Sequence, residues 1–245
     1  MLHLHRTKGG SRLKTGLLIG LLLISIIAGA QKKEKYLFYH DAKPYYFGIT
    51  LGVNLARFHT ELHTRFLDDD SVYIAEPLNS GGFTLGLSAT GRLSDRFQLR
   101  FNPQLMFIER NIFYKLKYPD IDGMTEVTKK IESVIMSFPI QIKFQSDRID
   151  NFRVYMMAGI KGDIDMASNA RAKRAEDLVK IEKYDWGPEI GIGFNFFFPS
   201  FIFSPEIKIS NGVSNIHSRD PNLKFSSVFD KIQSRMIVFS IHLEG

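Results

Sequence analysis

No cysteine occurs among the 245 residues. That absence excludes disulfide staples and a lipid anchor built on a cysteine. An exported fold of this chain must be held by its backbone ladder and its packing. Long apolar runs are also missing. Past residue 30 no stretch approaches the roughly 18 apolar residues of a membrane helix, so membrane integration has to be by strands. Surplus charge is the third absence. The formal net charge of +6 looks like a polyanion footprint, but Arg6, Lys8, Arg12 and Lys14 lie in an acid-free stretch at the start. Beyond residue 30, 28 basic residues stand against 26 acidic ones. A near-neutral chain gives no reason to invoke nucleic acid.

Those four basic residues precede an apolar run over 17–27, too short to span a bilayer, and the small residues Ala28, Gly29 and Ala30. The order predicts a signal peptide over 1–30, cleaved after Ala30 to leave Gln31 at the front.

What the chain does have is alternation at period two. Apolar and polar residues alternate over 46–55, 83–93, 97–108, 134–144, 152–163, 184–198, 201–210 and 234–243. Gaps after the second, fourth and sixth segments are short (94–96, 145–151 and 199–200). The other gaps each run to about twenty residues or more. An even number of strands, with tight turns on one rim and long loops on the other, predicts an all-β, eight-stranded antiparallel transmembrane barrel. The tight turns and both ends then face the periplasm and the four long loops face out. The expected organisation is a periplasmic N-terminal segment over 31–43 and an outer-membrane barrel over 44–245.

Parity assigns the faces. Phe47, Ile49, Leu51, Val53 and Leu55 oppose Gly48, Thr50, Gly52 and Asn54; Phe83, Leu85, Leu87 and Ala89 oppose Thr84, Gly86, Ser88, Thr90 and Arg92. Phe97, Leu99, Phe101, Leu105 and Phe107 oppose Gln98, Arg100, Asn102 and Gln104. A soluble barrel would turn the apolar set inward. Here the polar set is rich in small residues, which suits a narrow lumen, and the apolar set is bulky, which suits lipid. The lumen then collects Arg92, Arg100, Lys143, Arg153, Lys161 and Lys208 with Asp163, Asp185, Glu189 and Glu206. An eight-stranded barrel is filled by such side chains, so this is a polar core and not a pore.

Tyr45, Tyr46, Tyr184, Trp186, Phe196, Phe197 and Phe198 fall near strand ends, where aromatic girdles sit. The last segment sends Ile237, Phe239, Ile241 and Leu243 outward, the pattern that barrel-insertion machinery reads, but finishes in Glu244-Gly245 and not in an aromatic residue. Pro103, Pro139, Pro188 and Pro205 fall inside strands. Each removes a ladder donor, so bulges or strand shifts are expected at some of them.

Candidate chemistry is thin. His59-Thr-Glu-Leu-His63, followed by Asp68, Asp69 and Asp70, lacks the HExxH arrangement and is expected to be a hydrated loop. Asp120-Ile-Asp-Gly123 opens like a calcium loop without its terminal Glu and is expected to be a turn. Residues 167–183 read as a solvated amphipathic helix whose charges nearly cancel. His217 and His242 stand isolated. An acyl-transferring barrel enzyme would need a Ser and a His converging at the lipid-facing rim. No catalytic, cofactor-binding or metal-ligating residue is expected, no cofactor and no small-molecule substrate; the expected surroundings are outer-membrane lipid.

At Tyr45-Tyr-Phe-Gly-Ile-Thr-Leu-Gly52, Ser137-Phe-Pro-Ile-Gln-Ile-Lys143, Pro205-Glu-Ile-Lys-Ile-Ser-Asn-Gly212 and Ser234-Arg-Met-Ile-Val-Phe-Ser-Ile-His-Leu-Glu-Gly245 the chain resembles the PorT family of Bacteroidota outer-membrane proteins. The resemblance covers essentially everything past residue 30. It implies a component of the type IX secretion system, which exports cargo bearing a C-terminal secretion domain and, in gliding species, adhesins. The implied partners are other components of that system and its cargo, and the family brings no catalytic motif. The alternatives are a free-standing surface barrel for adhesion or envelope stability, and a small-barrel lipid acyl-hydrolase or acyltransferase.

Overall fold

The alternating segments close into an antiparallel wall in the computed structural model, which describes residues 34–64, 72–119, 123–168, 181–218 and 225–245. Its strands are β1 (Tyr45–Leu62), β2 (Val72–Leu78), β3 (Ser80–Arg92), β4 (Phe97–Phe101), β5 (Gln104–Leu116), β6 (Glu126–Gln145), β7 (Phe152–Asp165), β8 (Tyr184–Phe197), β9 (Ile202–Asn211) and β10 (Phe229–Glu244). β1 pairs with β3 from Tyr45↔Gly91 to Ala56↔Ser80, and with β10 from Gly48↔Glu244 to Leu62↔Phe229. The ring runs on from β3 through β4 and β5 to β6 and then in order to β10. β2 continues β3, and β4 and β5 are halves of one stave. The ten strands of the described residues therefore make eight staves, and the expected all-β, eight-stave antiparallel barrel is the fold.

Two expectations about the wall need correction. The staves stand taller than their alternating cores. β1 runs on through Leu62, β5 through Leu116 and β6 begins at Glu126. Much of the first and second expected outer loops is strand, because alternation persists there with its chemistry reversed. The prolines, in turn, bring no shift of register. Pairing keeps one register across Pro103, Pro139, Pro188 and Pro205. An antiparallel residue sends its N–H and C=O to the same neighbour, so a proline forfeits one bond on one side only. The carbonyl of Pro103 still accepts the Leu87 N–H at 3.0 Å, and that of Pro139 accepts the Asn102 N–H at 3.3 Å. The irregularities sit at the outer ends, between Glu61 and Leu62, between Val72 and Ile74, and between β2 and β3.

Burial confirms the faces at the height of the alternating cores. Phe47, Ile49, Leu51, Val53, Leu55, Ile207, Ile209, Ile237 and Phe239 are exposed, while Thr50, Asn54, Thr84, Ser88, Arg100, Lys143, Glu206 and His242 are buried. Farther out the assignment inverts. Phe58, Val72, Ala75, Ile112, Tyr114, Leu116, Phe225, Phe229 and Ile232 form a buried apolar core, with Arg57, His59, Glu61, Lys130 and Glu132 exposed around it. The barrel is inside-out at one end and soluble-like at the other.

Candidate functional site

Three regions of the interior carry the polar chemistry. The first is the lumen at the level of the lipid-facing band. Arg100 from β4 donates to Glu206 of β9 at 2.5 Å and to Gln141 of β6 at 2.5 Å. The Tyr155 hydroxyl donates to the same Glu206 at 2.8 Å. His242 lies between them, with Nε2 3.5 Å from Glu206 and Nδ1 2.9 Å from the Thr50 hydroxyl. Lys143 faces Glu244 at 3.8 Å and lies over the Tyr155 ring at 4.2 Å. Gly193 makes room for that ring, since any Cβ there would collide with it. Buried charges survive only when paired in this way. The chemistry available is mutual neutralisation, and the cluster plugs the bore.

A second set lies on the β6–β9 side of the lumen. Lys208 meets Glu189 at 3.2 Å, Glu189 accepts from Gln141, and Lys161 meets Asp163, which also accepts from Ser137 at 2.5 Å. Arg110 lies farther out, against Asp165 at 3.5 Å, with Ser133 at 2.6 Å and the Phe58 ring at 4.6 Å. Ala56, Met106, Ile108, Ile135, Met236 and Val238 form an apolar cluster inside β1, β5, β6 and β10.

The third region is the mouth at the tight-turn rim, the one expected to face the periplasm. Tyr36–Lys43 folds back as a strap containing a short 3₁₀ turn, Phe38–Ala42. Asp41 meets Arg153 at 3.0 Å and Arg148 at 3.4 Å. Arg148 also donates to the Tyr36 carbonyl and stacks over the Phe197 ring at 3.6 Å. The His40 ring is buried against Tyr46 (4.6 Å) and Phe197 (6.4 Å). Burial depresses the His40 pKa below its ordinary value; Glu244 and Asp41 oppose the shift, and Lys43 and Arg153 add to it. Beneath the strap is a cavity of about 260 Å³ lined by Lys43, Arg92, Asp95, Gln98, Gln145 and Asn195, among others.

Several expected placements change. Tyr46 and Phe197 leave the girdle and point inward, Tyr46 donating to Gln98 at 2.9 Å; Tyr45, Tyr184, Trp186, Phe196 and Phe198 stay exposed. Arg92 and Arg153 belong to the mouth, and Arg92 pairs with Asp95 there. His59, Glu61 and Leu62 are strand and not loop; Glu61 meets Lys231 at 3.2 Å. His242 is not isolated, and neither is His217, whose Nε2 lies 2.9 Å from the Ser226 hydroxyl. Both members of that Ser–His pair are buried inside the outer core, away from the lipid-facing rim that acyl chemistry needs. Among the described residues no group of three or more His, Cys, Asp or Glu is arranged to hold a metal. Asp68–Asp70, Asp120–Asp122, most of the expected helix (169–180) and the expected signal peptide lie outside the described residues. Sequence reasoning missed Arg110 and Glu244, although each shares the inward parity of its stave, and it missed Asp41, which had no local signal.

A family model described as outer membrane protein beta-barrel domain matches residues 30–218. No curated protein sequence matches the chain. Among solved structures, the barrel is similar to Neisserial surface protein A at 13% identity and a TM-score of 0.38, over 80% of this chain and 96% of that one. It is similar to Ail, the attachment invasion locus protein of Yersinia pestis, at 9% identity and 0.38, over 83% and 100%. OprG of Pseudomonas aeruginosa gives 11% identity and 0.40, over 80% and 93%.

Proposed function

We propose that this chain, which belongs to the outer membrane protein beta-barrel domain family, is an accessory component of type IX protein secretion, needed for export and maturation of cargo with a C-terminal secretion domain. The family places it in the outer membrane; the secretion role is supported by its likeness to PorT on the first, fourth, seventh and last staves. One observation limits that role: the lumen is plugged by the fully buried Arg100, Lys143, Tyr155 and Glu206. A filled eight-stave bore passes no folded protein, since aqueous channels belong to barrels of about 16 staves or more. The chain acts beside a larger translocon, and only its lipid-facing wall, outer extension and periplasmic face are open to other components and to cargo.

Deleting the gene is the test. The expected outcome is cargo stranded in the periplasm, with envelope integrity and lipid A acylation unchanged. Normal release together with a leaky or non-adherent envelope would favour a free-standing surface barrel, a reading supported by the separate apolar core of the outer half. Altered lipid acylation with normal release would favour the enzyme.

A further inference from the structure

Polar contacts at two points hold the strap over the mouth: Tyr36 is tied to Asn151 (2.9 Å) and to Arg148, and Asp41 is tied to Arg148 and Arg153. Its catch is one carboxylate, Asp41, shared by Arg148 and Arg153. Beside that catch it inserts a single imidazole, His40, which is only 6% exposed and whose Nε2 has no hydrogen-bond partner among the described residues. The turn that leads in is strained: Leu37 takes φ 50°, ψ 46°, the left-handed region that residues other than glycine seldom adopt. Outside, Phe38 and Tyr39 remain 68% and 83% exposed, so the strap buries little apolar surface of its own.

We propose that the Tyr36–Lys43 strap is an acid-released latch on the periplasmic mouth, with His40 as its trigger and Asp41 as its catch. A proton on His40 would place a cation between two rings and leave it partly desolvated. Four charged groups and two rings bear on the imidazole. Glu244 of β10 and Asp41 of the strap favour the cation; Lys43 of the strap and Arg153 of β7 oppose it, and Tyr46 and Phe197 offer ring edges and faces. Burial is the largest influence and favours the neutral ring. Because the docked pKa lies below the free value of 6.5, docking is at full strength above that pH. It weakens as the pH falls from 6.5 toward the docked pKa. Release uncovers the cavity and frees the two arginines for other carboxylates.

The cysteine-free chain makes the test direct. Spin labels attached through Tyr39→Cys and Ser200→Cys, both at exposed positions, report the distance between the strap and the β8–β9 turn in liposomes. Between about pH 8 and about pH 5, on either side of the ordinary histidine range and above that of carboxylates, a single narrow distance should give way to a broad population that grows several-fold. His40→Phe keeps a ring in the site but takes up no proton, and should hold one distribution at both pH values. If that ring fails to seat, His40→Gln replaces it under the same expectation. Asp41→Asn should be broad throughout. An unchanged distribution in the native chain, a pH response surviving both His40 variants, or loss of the heat-modifiable barrel band over the same range would overturn the latch.

Discussion

The lower and outer halves of this barrel are built on the same staves with opposite chemistry. On β1 the outward residues Val53 and Leu55 give way to Arg57, His59 and Glu61, while the inward residues Thr50 and Asn54 give way to Ala56 and Phe58. β5 repeats the change, with Gln104 inward below and Ile112 and Tyr114 inward above. The backbone does not register the switch; the ladder to β10 runs straight through it. The strand supplies two faces, and the medium outside decides which is apolar. Lipid takes apolar residues and leaves polar ones to neutralise each other within, whereas water reverses the arrangement.

The contrast is most severely tested in the lower lumen. Glu206→Ala should cost about 3–5 kcal/mol, because Arg100 is left buried and unpaired; urea unfolding in liposomes gives the value, and a cost near zero would mean that water reaches the site. In the outer half, Phe229→Ala should cost about 3–5 kcal/mol by cavity formation, confined to that half. Hydrogen exchange should then accelerate in the outer ends of β1 and β10 and stay slow below; uniform acceleration would show one cooperative core where two are expected. A matched pair comes next. Ile207→Lys should cost about 2–4 kcal/mol in lipid, but Thr128→Lys, also outward yet above the band, should stay within about 0.5 kcal/mol. Equal costs would misplace the boundary. Among the changes expected to destabilise, the mildest is Gly193→Ala, at about 1–3 kcal/mol from pushing the Tyr155 ring off its site. Tyrosine fluorescence and unfolding midpoints together would report it, and no change in either would mean that Tyr155 has room to turn.

How far the sequence discloses this depends on the range of each interaction. Alternation over 47–55 or 97–107 is local, and it gives strand, face and lipid contact directly. Arg110 and Glu244 obey the same parity and become legible once the staves are carried past Ile108 and Leu243. The reversal at Ala56 and Phe58 is written in the sequence too, but reading a single apolar face ends the strand where the apolar set changes sides. The strap is different in kind. Asp41 and Arg148 are 107 residues apart, and nothing near Asp41 marks it as an anchor. The prolines mislead because a lost donor looks like a lost ladder, although each deletes one bond from a seam held by many others.

The seam between β1 and β10 has a consequence for biogenesis. It joins the first stave to the last along 15 paired positions, from Gly48↔Glu244 to Leu62↔Phe229. Every other stave meets its neighbour by a local hairpin, whereas this closure brings together residues nearly two hundred positions apart. Loop-closure entropy makes such a contact late and slow. Until β10 arrives, two unpaired strand edges stay open to any other chain in the periplasm. A sheet that lacks this seam is open along both edges, and that exposure ends only when the last hydrogen-bonded column forms.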